Sequence, residues 1–353
     1  MAALEAQMTS LRAQKKQVLN DLKSHNLKSP VLTVPNEVTI EIFLHVVSLM
    51  RKEWQPYSGH SLLKLGSVCQ TWRAVTLSTR TLWNNRVKIY CDCIGDAAKL
   101  LELCLPRAGG LPLDLDIGLP TDPSSADTIM STLCQYGSQW QHIHLSQPGR
   151  TAWTPRLNFT IDCFPKSLPV LESFSLSKLP VDIFISSLRQ APQLRELILQ
   201  TCSEAILDLP VNWLTTLVLF DFSIPQLLVL LPYALNLEYL ELGPAVEDEQ
   251  GQKAATPFIL LPRLRTFRCN NDLTAMVLQR LTLPALERLW LEELSDAGIN
   301  AIQSCVAQSN STIGTLYVDG LRAEYNCLRG FSTIRRVFPA GGCLKHWIAS
   351  PPL

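Results

Sequence analysis

Two pairs of residues have the types and spacing that metal-dependent chemistry would use. His142 and His144 are two apart, so a strand would place both imidazoles on one face, where they could join a metal site. Asp114 and Asp116 have the same spacing and could hold the divalent cation of a glycosyl transfer. However, no further carboxylate or cysteine completes either set. The aspartates also alternate with leucines in LPLDLDI (111–117), which predicts an edge strand with outward-facing aspartates. We therefore expect no metal and no cofactor.

The motifs of common enzymes are also missing from the sequence. It contains no G-x-S-x-G elbow, phosphate-binding Walker loop, H-E-x-x-H or protein-kinase motif set. We expect a protein that is not an enzyme. The alternative is a transferase or hydrolase without a familiar motif, whose metal-dependent turnover an Asp116→Asn substitution would abolish.

Composition narrows the possible partners. The 353 residues balance to a formal net charge of +0, so no basic patch points to nucleic acid or to an anionic membrane. The longest apolar stretch, residues 224–242, carries two prolines and several polar residues, and the N-terminus does not have the pattern of a signal peptide. The eleven cysteines include no C-x-x-C pair, which favours reduced thiols and a cytoplasmic or nuclear location.

The N-terminal segment, residues 1–29, has the pattern of an amphipathic helix. Leu4, Leu11 and Val18 are seven apart over a stretch without proline or glycine, and Ser29-Pro30 ends it. Three heptads could form a short coiled coil. We favour a helix that packs on a neighbouring domain or frays in solvent.

Residues 30–90 have the pattern of a small helical domain. Pro35 and Asn36 start a helix in which Val38, Ile42 and Val46 recur every four residues. A second apolar stripe follows over residues 62–75. A bundle of about 50 residues is at the lower limit of independent stability, so it often needs a partner to cover its remaining apolar surface.

The anchors of this domain occur in a characteristic order. Leu32, Val34-Pro35, Glu37-Val38 and Ile42-Phe43 are followed by Leu62-Leu63-x-Leu65, Val68-Cys69-x-x-Trp72-Arg73 and Leu82-Trp83. This ordered set resembles an F-box. Two departures are Val34 in place of the usual leucine and a longer loop before Leu62.

The resemblance implies a docking module for the Skp-family adaptor of SCF-type cullin–RING ubiquitin ligases, and through it the cullin scaffold. Pro35 and nearby apolar residues would enter a groove of the adaptor, whereas others would serve either that interface or the internal bundle. The implied adaptor-binding residues are Leu32, Val34, Pro35, Glu37, Val38, Ile42, Leu63, Val68, Cys69 and Trp72. The alternative is a helical domain that packs only against its own chain.

Residues 91–353 contain a repeat of the form Leu-x-x-Leu-x-Leu. Seven copies begin 20 to 27 residues apart, at Leu171, Leu194, Leu214, Leu237, Leu264, Leu286 and Ile313. Earlier copies are indicated at Trp140 and near residues 111–117. These spacings are typical of leucine-rich repeats, in which each strand needs its neighbours to cover its apolar face.

Helical patterns over residues 181–192 and 295–308 separate the predicted strands. We therefore expect an α/β fold, in which the helical domain precedes an irregular leucine-rich-repeat solenoid with parallel strands inside and helices or loops outside. An ordinary doubly wound α/β domain is the alternative.

The repeat also predicts a binding surface, because the residues that flank each middle leucine point to the concave side of a solenoid. The later copies place aromatic and basic residues there, which are common anchors of protein interfaces. The candidate target-binding residues are Tyr239, Arg268, Arg288, Trp290 and Tyr317. The alternative is that these are unremarkable surface residues.

Together these patterns predict a substrate receptor of an SCF-type ubiquitin ligase, in which the repeats bind a target protein. A scaffold that binds the adaptor outside any ligase is the alternative.

Overall fold

The computed structural model describes residues 2–24, 34–52, 58–84, 87–90, 97–147, 164–179, 181–202, 204–246, 258–269, 277–292, 296–311, 313–319 and 337–339. The chain forms two compact units, Met1–Leu82 and Trp83–Leu353. The first unit is helical and the second contains a large parallel sheet, so the expected α/β class is confirmed.

The described part of the first unit is built from helices. They are α1 (Ala2–Ser24), α2 (Asn36–Lys52), α3 (Ser58–Val68), α4 (Gln70–Ser78) and α5 (Arg80–Trp83), the last of which crosses the boundary between the units. The sequence predicts this boundary after residue 90. The observed division comes earlier, because residues 87–90 form a strand of the sheet.

Local hydrogen bonds set the helix ends. At the start of α2 the Thr39 N–H donates to the Pro35 carbonyl at 3.0 Å. Cys69 is extended, with φ −155° and ψ 170°, and separates α3 from α4. The single apolar stripe expected from residue 62 to residue 75 is therefore divided between two helices.

Helix α1 lies within the segment predicted to be helical. Its side chains from residue 5 to residue 21 are all exposed, including the apolar seam residues Leu11 and Val18. Of the two expectations, packing on a neighbouring domain or exposure to solvent, these residues agree with the second.

The second unit contains an 11-stranded parallel sheet whose strands follow chain order, so each strand between the two edges pairs with the sheet strands before and after it in the chain. The strands are β1 (Val87–Tyr90), β2 (Leu113–Gly118), β3 (Trp140–Ser146), β4 (Ser173–Ser177), β5 (Glu196–Leu199), β6 (Thr216–Leu219), β8 (Tyr239–Leu242), β11 (Thr266–Cys269), β13 (Arg288–Glu292), β14 (Thr315–Asp319) and β15 (Val337–Pro339). Two short parallel pairs accompany it: β7 (Phe222–Ser223) with β9 (Ala245–Val246), and β10 (Ile259–Leu260) with β12 (Leu281–Thr282).

All seven predicted repeat copies lie on strands of this sheet, and the two earlier copies lie on β3 and β2. The placement of LPLDLDI at an edge was wrong. Strand β1 pairs with β2 on one side and β3 pairs with it on the other, so Asp114 and Asp116 lie inside the sheet.

Parallel neighbours require a crossover between successive strands. The α-helices of these crossovers are α6 (Ala97–Cys104), α7 (Pro123–Cys134), α8 (Ile185–Leu188), α9 (Ile224–Leu230) and α10 (Asp296–Ser309). Shorter 3-10 segments occur at Leu105–Ala108, Gly137–Gln139, Asp182–Phe184, Glu204–Asp208, Val211–Trp213 and Leu231–Tyr233. The two helical segments predicted from the sequence correspond to Asp182–Leu188 and to α10.

The middle apolar residue of each repeat occupies the same register position across the sheet. Phe174, Leu197, Leu217, Leu240, Phe267, Leu289 and Leu316 form one continuous row. Each is at most 1% exposed, so this row is the centre of the core. In each strand, the residues immediately before and after the middle apolar residue point to the other side of the sheet. We name the surface that they form the polar face. Among the described residues, none of the helices is both long and apolar enough to cross a membrane.

Candidate interaction surfaces

Helix α2 exposes a stripe of apolar side chains. Val38, Ile42 and Leu49 are each about half exposed, at 48%, 49% and 49%. Their spacing places them on one side of the helix, while Phe43 and Val47 on another side are buried. We name Val38, Ile42 and Leu49 the α2 stripe. Because three neighbouring apolar side chains face solvent, this stripe is a candidate interaction surface.

The Val-Cys-x-x-Trp-Arg motif mainly holds the helices together. Cys69 Sγ accepts the Trp72 N–H at 3.4 Å and caps α4. The Trp72 ring packs against the Phe43 ring of α2, with centroids 5.0 Å apart. Arg73 Nε donates to the Gly66 carbonyl of α3 at 3.0 Å. Cys69 and Trp72 therefore have internal roles.

The structure sorts the predicted adaptor-binding residues by exposure. Pro35, Glu37, Val38, Ile42 and Val68 are exposed, and Val68, at 62%, is more exposed than Val38 or Ile42. The intermediate class contains Val34, Leu63, Cys69 and Trp72. Leu32 lies outside the described residues.

In the first strands of the sheet, side chains of the polar face form hydrogen bonds and an ion pair with one another. His144 Nδ1 lies 2.7 Å from Ser175 Oγ, and Ser173 Oγ donates to Glu196 Oε2 at 2.6 Å. Asp116 is 3% exposed and contacts Lys88 Nζ at 3.7 Å. These bonds join neighbouring strands side by side.

The residues first considered for metal chemistry do meet in this region. Asp114 lies opposite His142 in the register, and Asp116 lies opposite His144. Even so, the part of the chain that the structure describes contains no group of three or more His, Cys, Asp or Glu residues that could hold a metal ion. The burial of Asp116 also leaves little room for a substrate at its carboxylate.

In the later strands, the polar face carries an ion network centred on Arg268. Arg268 Nη1 lies 3.2 Å from Glu241 Oε1, and Nη2 lies 2.5 Å from Glu292 Oε1. The Tyr239 hydroxyl donates to Glu241 Oε2 at 2.6 Å. One guanidinium thus serves two carboxylates on the strands on either side of it, which leaves a net charge of −1 among these three charged groups.

The pKa shifts in this network follow from burial and from the neighbouring charges. Burial alone would lower the pKa of Arg268, but the carboxylates of Glu241 and Glu292 raise it overall. Burial raises the pKa of the Tyr239 hydroxyl, and the charge and hydrogen bond of Glu241 raise it further. Both groups therefore hold their protons firmly, with Arg268 charged and Tyr239 neutral.

Two aromatic rings lie beside the ion network. The rings of Trp290 and Tyr317 are stacked, with centroids 3.7 Å apart and planes 16° from parallel. The two residues are register partners on β13 and β14, and both are intermediate in exposure. The pair forms an apolar step on the polar face.

The five predicted target-binding residues lie together on strands β8, β11, β13 and β14, which are consecutive in the sheet. Tyr239 and Arg268 belong to the ion network, and all five residues are intermediate in exposure. The sequence reasoning did not select Glu241 or Glu292. The repeat does place Glu241 on the predicted concave side, because it follows the middle leucine of its copy as Arg268 follows Phe267, but only aromatic and basic residues are expected as anchors there.

Comparisons with known proteins find no match: no protein-family model matches the chain, and no curated protein does.

Proposed function

We propose that this chain is a substrate-receptor subunit of an SCF-type cullin–RING ubiquitin ligase. The helical unit is the F-box, which docks the Skp-family adaptor, and the sheet unit is a leucine-rich-repeat solenoid that binds the target protein. The chain supplies no chemistry of its own. Holding a target near the ligase raises the effective concentration of the target's lysines around the catalytic partner.

The α2 stripe is the observation that carries the proposal. A helical unit that served only its own chain would turn its apolar side chains inward, yet Val38, Ile42 and Leu49 are each about half exposed. The motif residues Cys69, Trp72 and Arg73 meanwhile hold the helices to one another. A helical unit that is held together by its own contacts and still exposes apolar side chains is what a docking module requires.

The order of the strands supports the solenoid. In a doubly wound sheet the strand order reverses at a switch point, whereas here eleven parallel strands follow one another in chain order. The continuous row of middle apolar residues matches the stacking of repeats that cannot bury their faces alone. A sheet of this kind offers one long surface for a target.

Co-purification tests the proposal. The full chain is coexpressed with a Skp-family adaptor and, in a second arm, with adaptor and cullin together. Recovery of both partners is the expected result. Failure to recover the adaptor would overturn the F-box assignment.

The alternative is an F-box-like scaffold that acts outside a ubiquitin ligase. It predicts the adaptor without the cullin in the second arm, so the same experiment separates the two.

A further inference from the structure

Strand β13 presents three different side chains in a fixed order on the polar face. Arg288, Trp290 and Glu292 are intermediate in exposure and alternate with the buried Leu289 and Leu291. At about 3.3 Å per residue, the first and last of the three lie about 13 Å apart along the strand. A cation, an aromatic ring and a carboxylate therefore follow one another in a line.

Contacts with neighbouring strands fix the middle and the end of this line. The Trp290 ring is stacked on Tyr317, and Glu292 is held by Arg268 at 2.5 Å. Groups that are already held in place lose little conformational freedom when a partner binds. The Trp290 and Glu292 side chains are therefore already positioned before a ligand binds.

The two ends of the line differ in charge. At the Glu292 end, two carboxylates share the single guanidinium of Arg268, which leaves one negative charge in excess. At the other end, Arg288 forms no ion pair within the described part of the chain. A ligand that complements both ends must itself carry one charge of each sign.

We propose that strands β13 and β14 bind an extended peptide segment of a partner protein, in which an acidic, an apolar and a basic side chain occupy alternate positions. An extended chain places alternate side chains on one face with nearly the same rise as a strand. The acidic group then lies opposite Arg288, the apolar group on the Trp290–Tyr317 step, and the basic group opposite Glu292. This inference rests on the proposed function, because it takes the polar face to be the target-binding surface, and it names the chemistry of the target segment.

The test uses the purified full chain and an array of short acetylated glycine–serine peptides with three alternate positions varied. Two sets carry aspartate, leucine and lysine at these positions, one in each order. Two more sets carry leucine between two aspartates or between two lysines. The fifth set carries serine in place of leucine, between aspartate and lysine. The mixed-charge leucine peptides should be captured at least about threefold more than the like-charge peptides, the size expected of exposed ion pairs. They should also be captured more than the serine set.

Charge reversal provides the decisive comparison. Arg288→Glu should shift the preference to peptides with two lysines, and Glu292→Arg should shift it to peptides with two aspartates. Glu196→Arg, on the same face of β5, should leave the preference unchanged. Arg288→Glu does not touch the contacts of Arg268, so it remains informative even where Glu292→Arg impairs folding.

Equal capture of all peptide sets would overturn the inference, as would a preference that Arg288→Glu does not alter. The adaptor co-purification is a separate measurement on the helical unit. A chain that recovers the adaptor but shows no peptide preference would lose only this inference, whereas a chain that fails to recover the adaptor would lose the ligase assignment.

Discussion

The rings of Phe43 and Trp72 meet edge to face, with centroids 5.0 Å apart and planes at 74°. Phe43 belongs to α2 and Trp72 to α4, so this contact joins two helices that are separated in the chain by α3. Aromatic pairs of this geometry contribute about 0.5–1.5 kcal/mol beyond their burial. The tryptophan of the motif is therefore chiefly a structural residue.

Replacing Trp72 should destabilise the helical unit. We expect Trp72→Ala to lower the free energy of unfolding by an amount near the lower end of the ~3–5 kcal/mol typical of large aromatic truncations, because Trp72 is only partly buried. Trp72→Phe should cost less, since it keeps a ring against Phe43. Chemical denaturation of the full chain measures both. Val38→Asp is the control, with an expected change within about 0.5 kcal/mol for an exposed site. Equal stability of Trp72→Ala and wild type would refute the structural role.

Removing the guanidinium from the ion network should also be destabilising. Arg268→Ala leaves the mostly buried carboxylates of Glu241 and Glu292 without their shared cation, and we expect a loss of about 1–3 kcal/mol in unfolding free energy. Arg288→Ala is the matched control on the next strand and should change stability by less than about 0.5 kcal/mol. Denaturant unfolding of the two variants distinguishes these outcomes. Similar losses of unfolding free energy in both variants would show that the ion network contributes no more to stability than Arg288 does.

Buried thiols should make the fold sensitive to alkaline pH. Burial raises the pKa of Cys305 to about 11, against a smaller opposing effect of its hydrogen bond to Ser309, whereas an unperturbed thiol titrates near pH 8.5. As pH rises, the unfolded chain loses this proton first, so stability is full below about pH 8.5 and falls as pH rises toward about 11. Unfolding midpoints measured across this range should fall less steeply for Cys305→Ala than for wild type. Identical slopes would contradict the assignment.

A close approach just after strands β6 and β8 should make Gly243 intolerant of a side chain. A Cβ atom at this position would overlap the ring of Phe220, the residue that follows β6. Gly243→Ala should therefore lower the thermal midpoint, because the ring must move. The loss should be smaller when the same change is made in a Phe220→Ala background, which a double-mutant cycle measures. Additive effects would show that the two residues are not coupled.

The strands were predictable from the sequence because one packing requirement recurs in every repeat. Each middle leucine must lie in the same buried row, so the spacing of these leucines along the chain predicts the positions of the strands. The Glu241–Arg268 ion pair and the Trp290–Tyr317 stack follow from the same register once the copies are aligned.

Exposure within the helical unit was not predictable in the same way. Periodicity placed Val38 and Ile42 in one apolar stripe with Val46, and Phe43 beside it. It did not show that Phe43 is buried while Val38 and Ile42 face solvent. That difference depends on where α3 and α4 pack, which in turn depends on the extended backbone at Cys69 between these two helices. The edge position expected for residues 111–117 was wrong because β1 carries no recognisable leucine repeat.

The affinity of the full chain for a Skp-family adaptor tests the central claim most directly. Wild type is compared with the double variant Val38→Asp plus Ile42→Asp, and with Val18→Asp on α1, an exposed valine outside the docking segment. Circular dichroism and unfolding midpoints confirm that all three are folded. We predict that the double variant binds at least about tenfold more weakly, because interface anchors contribute more than about 1 kcal/mol each, and that Val18→Asp binds like wild type. An unchanged affinity of the folded double variant would contradict the account.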